Sequence, residues 1–116
     1  MYLRTLLIVQ ALAAASLAAG PQQIPTSEVA RQAGCYLVNR VAALRQQVAA
    51  GRAPLLVVND TPAGPLRDEG EACDAVRWRD LQVGEIRVLR PSAAQDVYGA
   101  DARNGAVMVD VLPPRR

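Results

Sequence analysis

The stretch EIRVLRPSAAQDVYGADARNGAVMVDV, Glu85 to Val111, decides the fold of this chain. In Glu85–Leu89 polar and apolar residues alternate, the pattern of a half-buried strand. Pro91 blocks that strand and is preset for the first turn of a helix. Ser92–Tyr98 supplies the helix, short and alanine-containing, and Gly99 ends it. Asn104-Gly105 reads as a tight-turn pair. Ala106–Leu112 is the last strand, stopped by Pro113-Pro114. Strand, helix and strand make a compact unit, right-handed if its strands run parallel. The helix is short for such a crossover, so an antiparallel return stays open.

Upstream, Pro54–Val58 (PLLVV) is a β-branched run read as a buried strand. Asn59-Asp60, Pro62, Gly64 and Pro65 carry the turn chemistry that stops it. Residues 66–76 are acidic and polar, a loop tethered by Cys73, and Trp78–Leu81 can form one helical turn with Trp78 and Asp80 at its surface or edge. Before this, Val29, Ala33, Leu37, Val41, Leu44 and Val48 recur at steps of three and four, predicting one amphipathic helix over residues 27–50. Thr26 or Ser27 can cap it, Glu28 suits its dipole, and Gly51 ends it. Gly34 weakens such a helix by about 1 kcal/mol, so a short strand over residues 35–41 is the alternative. The expected fold class is α+β. Its parts are a small mixed sheet of about three to four strands, an N-terminal helix, and a short helix between the last two strands.

The first residues read as an export signal. Arg4 precedes the apolar run Leu6–Leu17, and Ser16-Leu17-Ala18 places small residues where a signal peptidase reads, so residues 1–18 are expected to be removed. An uncleaved anchor is the alternative, but the run falls short of the about 20 apolar residues of a spanning helix. Residues 19–26 form a flexible leader, and residues 27–114 a single domain. Phe is absent, so Val, Leu, Ile and Ala must build a thin core. Cys35 and Cys73 are the only cysteines, and an even count in an exported chain predicts a disulfide; two buried free thiols are the alternative.

All thirteen basic residues are Arg, scattered among eleven acids. With no aromatic platforms, this argues against nucleic-acid binding. His and Lys are absent, and only Ser27 and Ser92 follow the signal as serines. Residues for general-base and nucleophilic chemistry are therefore scarce, and no catalytic role, cofactor or metal site is expected. Asp68, Glu69, Glu71 and Asp74 read as a solvated loop, and Asp96 and Asp101 as cap and turn residues. Trp78 has two readings of similar weight: a partner contact, or the one large core residue of an aromatic-poor domain.

The same stretch resembles the end of the plug domain of TonB-dependent outer-membrane receptors. That pattern is a β-branched strand, a Ser-Ala helix, Tyr-Gly, Ala-x-x-Asn-Gly and another β-branched strand. Here it falls on Ile86–Leu89, Ser92-Ala93, Tyr98-Gly99, Ala102, Asn104, Gly105 and Val107–Val109. PLLVVNDTP, from Pro54, looks like the family's Pro-Leu-x-Val-Val-Asp-Gly-x-Pro, with Asn59-Asp60 in place of Asp-Gly. The likeness spans about half the chain, and residues 27–50 have no counterpart in it. The resemblance implies a plug-like fold in the periplasm or at the outer membrane, without a barrel, and a non-enzymatic binding role. An envelope protein, a small ligand or a second copy of the chain is the implied partner. Alternatives are a receptor remnant with a purely structural role and a small envelope protein of unknown activity.

Overall fold

A computed structural model describes residues 26–112. The elements are α1 (Thr26–Arg40), α2 (Ala42–Ala49), β1 (Leu55–Val58), β2 (Thr61–Pro65), β3 (Val83–Leu89), α3 (Pro91–Tyr98) and β4 (Ala106–Val111). Short 3-10 turns lie at Gly70–Ala75, Trp78–Asp80 and Gly99–Ala102. One mixed sheet runs in the order β2-β1-β4-β3, so the fold is α+β as expected. The central pair β1 and β4 is parallel, with Leu55 beside Ala106 and Val58 beside Val109. Both outer strands are antiparallel to their neighbours. The return from β3 through α3 to β4 is thus antiparallel, and β1 occupies the other side of β4.

Each face of the sheet has its own helical cover. On one face, Ala33, Leu37 and Val38 of α1 and Leu44 of α2 pack with Leu56, Val58, Leu66, Val107 and Val109. On the other, Ala94 of α3 and Ala102 pack with Leu55, Val57 and Ala106. All four residues of β1 are buried, which is why Leu55–Val58 is continuously apolar rather than alternating. Each such Leu or Val contributes roughly 1.5–3 kcal/mol by leaving water. The alanines keep α3 close to the sheet.

Three local expectations need correction. The single helix over residues 27–50 is two helices, broken at Val41, where φ is −121° and ψ is 97°. The break loses little hydrogen bonding. The Val41 N–H donates to the Leu37 carbonyl at 2.8 Å, and the Val41 carbonyl accepts from Leu44 and Arg45. Beyond the break, Leu44 and Val48 still face the sheet core. The strand alternative for residues 35–41 fails, because Gly34 lies inside α1, packed on the side chains of Leu66 and Leu56.

Second, Thr61–Pro65 is not a loop but the edge strand β2. Pro62 and Pro65 are tolerated there because an edge strand needs no N–H on its outer side. Asn59-Asp60 is a turn as expected, here the two-residue hairpin connection, with φ of 49° and 69°, joining Val58 to its partner Thr61. Asn104-Gly105 is also a turn as expected, closed from Ala102, whose carbonyl accepts the Gly105 N–H at 2.9 Å. Third, β3 is far more exposed than half-buried: Ile86 is 37 % and Val88 64 % exposed. The reason is lateral. α1 packs mainly on β1 and β2, and β3 joins the cluster under the helices at Val83, before the bulge.

The expected signal over residues 1–18, most of the leader, and residues 113–116 lie outside the described residues. The helix starts at Thr26, one residue inside the expected leader. The cap expected of Thr26 or Ser27 rests on side chains that also lie outside the description.

Candidate functional site

Of the residues singled out in the sequence, Pro54, Asn104 and Gly105 lie at one end of the central strand pair, and Asn59 and Asp60 at the other. At one end, Gly105 has φ of 96°, and a Cβ there would lie 2.8 Å from the Leu89 carbonyl oxygen. Only glycine fits such an approach. Its own carbonyl accepts the Leu55 N–H at 2.9 Å, starting the β1–β4 ladder. Beside it, Asn104 donates from Nδ2 to the Ala53 carbonyl at 3.4 Å. The Asn104 carbonyl accepts from Gln47 Nε2 at 3.0 Å, which also donates to the Arg52 carbonyl at 2.9 Å. These bonds tie α2, the approach to β1 and the approach to β4 together.

Tyr98 is half-buried and packs on the cluster around Ala94 and Ala102. Gly99 ends α3 with φ of 77° and ψ of −156°, a region open essentially to glycine alone, and its N–H donates to the Gln95 carbonyl. Ser92 is exposed in the first turn of α3. Pro54 is buried, and its carbonyl accepts the Leu66 N–H at 2.9 Å.

At the opposite end, the Asn59 N–H donates to the Val109 carbonyl at 3.0 Å. Its side chain extends the ladder. Oδ1 accepts the Val111 N–H at 2.8 Å and Nδ2 donates to the Val111 carbonyl at 3.3 Å. An amide side chain here imitates a peptide group, which a carboxylate cannot do. By its sequence Asn59 reads as a turn former and as one position of the plug-like segment. The available signal was its chemistry, an amide directly after a buried strand. Asp60 is exposed at the second turn position.

A second cluster lies under the loop that follows β2. Cys35 of α1 and Cys73 are joined in a disulfide, with Cα atoms 5.7 Å apart. Trp78 is only 5 % exposed and meets Tyr36 edge-on, centroids 6.3 Å apart. The Arg40 guanidinium lies over both rings, 5.4 Å from the Tyr36 centroid and 5.7 Å from that of Trp78. Arg79 stacks over Trp78 at 4.4 Å. The indole is therefore packing between helix and loop, and a partner arriving there meets two exposed guanidiniums.

A shallow recess of about 140 Å³ lies between α1 and β2, bordered by Arg31, Gly34, Gly64, Arg67 and Glu69. Arg31 donates to Glu69 Oε1 from Nη2 at 2.8 Å and from Nε at 3.2 Å. That hydrogen-bonded carboxylate raises the Arg31 pKa above its ordinary value. Asp68 accepts the Gly70 N–H at 3.0 Å. Among the described residues no three His, Cys, Asp or Glu side chains converge as a metal site would require, so the acidic loop does not gather. Asp96 lies inside α3 and Asp101 in the 3-10 turn after it, both exposed. No helix of the described residues is long and apolar enough to cross a membrane.

Compared with known proteins, the chain matches no family model, no curated protein and no solved structure.

Proposed function

We propose that this chain is an exported, non-enzymatic binding module related to the plug domain of TonB-dependent receptors, acting in the periplasm or at the outer membrane. One observation carries the reading. The two segments that resemble the plug pattern, PLLVV and AVMVDV, are far apart in sequence, yet they are the two neighbouring central strands of one sheet. The Asn-Gly pair sits where that sheet begins, and Tyr-Gly closes the helix before it. Two segments alike only by accident have no reason to lie side by side.

The matched residues have folding roles, so binding belongs on the surfaces they leave exposed. Partner classes consistent with the reading are an envelope protein, a small ligand or another copy of the chain. Export is tested first: the protein recovered from the periplasm should begin at Ala19. Retention in the cytoplasm with residues 1–18 intact would overturn the reading. Binding is tested by in-cell photocrosslinking from Arg31 and Arg79, with expected capture of one discrete envelope component. Export without any captured component, and without a rise in melting temperature in envelope extracts, would favour a receptor remnant kept only as a fold.

A further inference from the structure

Among the described residues no strand pairs with the outer side of β3. The direction of its backbone groups follows from the middle of the sheet. Leu55 and Asn59 donate to the carbonyls of Gly105 and Val109, so odd-numbered residues of β4 turn toward β1. By the two-residue alternation, Ala106 and Met108 turn toward β3. Their partners Leu89 and Arg87 therefore point inward, and Ile86 and Val88 direct N–H and C=O to the open edge. The same two residues leave apolar side chains in water. A bulge between Val83 and Ile86 ends the regular stretch, which leaves Glu85–Leu89 with no proline. Such an edge is a template for another strand.

The sequence of the strand says which one. Glu85 and Arg87 share the other face; Arg87 Nε lies 3.7 Å from Glu85 Oε2, and both side chains are mostly exposed. Consider an antiparallel copy related by a two-fold axis through Ile86. Glu85 then stands opposite Arg87 of the second copy, and Arg87 opposite its Glu85. Ile86 meets its own counterpart in a mutually hydrogen-bonded pair. Moving the axis to Glu85 or to Arg87 sets like charges directly opposite, which destabilises a sheet. An axis midway between two residues sets outward-facing backbone groups against inward-facing ones, so the ladder bonds do not form. One register alone is complementary in charge and in face, and a two-fold contact requires that self-complementarity.

We propose that the protein pairs with a second copy of itself through β3, antiparallel and centred on Ile86, joining the two sheets into one. This rests on the binding-module reading only in naming a partner. The test uses purified protein, so self-pairing and envelope binding fail or succeed separately.

Sedimentation velocity of the purified exported chain should show a concentration-dependent shift from monomer to dimer. Ile86→Pro removes an outward N–H and spares the β3–β4 bonds. It should stay monomeric with an unchanged circular dichroism spectrum. Glu85→Arg should weaken the dimer several-fold, and adding Arg87→Glu to it should restore the dimer. Paired Cα atoms across the axis lie about 5.5 Å apart, within disulfide reach. Ile86→Cys should therefore yield a covalent dimer on mild oxidation, whereas Val88→Cys should not. A monomer at every concentration overturns the proposal, as does cross-linking of Val88→Cys in place of Ile86→Cys. So does protection of the Ile86 and Val88 amides that vanishes on deleting residues 19–25, since the chain's own leader would then cover the edge.

Discussion

The unit from β3 through α3 to β4 and the loop from Leu66 to Gln82 are both ordered, but by opposite means. The first is held by local geometry. Pro91 starts its helix, Gly99 stops it, alanines seat it, and Gly105 admits the Leu89 carbonyl. The second has only two brief 3-10 turns. A covalent bond from Cys73 to α1 and a tryptophan wedged against Tyr36 hold it in place. The contrast shows how an aromatic-poor domain supports a segment that cannot order itself: it adds long-range ties where short-range rules are missing.

The widest test of this contrast is to open the disulfide. The bond closes a loop with a sequence separation of 38 residues. Its loss, by reduction or by replacing both cysteines with Ser, should cost about 4 kcal/mol in the chain-entropy account. Denaturant midpoints measure the total, and hydrogen exchange its distribution. Amides of residues 66–82 should lose protection well before those of β1 and β4. Simultaneous loss in both regions would break the distinction. Next comes Trp78→Ala, expected to cost about 3 kcal/mol because a buried ring leaves a cavity. That variant should also loosen the loop and leave the exchange of β4 unchanged.

On the other side of the comparison, Gly105→Ala should cost about 2 kcal/mol through backbone strain against the Leu89 carbonyl. Its effect should appear as faster exchange at the start of β1 and β4, with the disulfide loop untouched. The smallest effect sharpens the comparison at the far end of the sheet. Asn59→Asp keeps the turn but loses the Nδ2 donor, and chemical denaturation should show a loss of about 1 kcal/mol. An unchanged midpoint would mean that the bridge to Val111 adds nothing beyond the hairpin.

Much of the β3–α3–β4 unit was legible because its signals are local. Proline, glycine and alternating polarity report on backbone conformation within a few residues. Less legible was everything set by a neighbour distant in sequence. Thr61–Pro65 carries two prolines and reads as loop; it pairs as a strand because β1 offers an edge. Ile86 and Val88 alternate like buried positions but stand open, because the helical layer packs mainly on β1 and β2 and meets β3 at Val83. The apolar spacing from Val29 to Val48 is that of a helix, as the structure has it, while the break at Val41 leaves no mark in that spacing. At the candidate sites, the cysteine pair was legible from its even count in a chain expected to be exported, whereas the ladder-extending role of Asn59 required Val111 beside it.

By itself, then, the sequence determined the helix–strand order of its C-terminal half, the apolar identity of the central strands, and a covalent tie between Cys35 and Cys73. Tertiary structure alone decided the order β2-β1-β4-β3, the parallel central pair, and which strands are left uncovered. The physical reason is range. Backbone preference and periodicity act over a few residues, but whether an apolar side chain is buried depends on what a distant part of the chain lays over it.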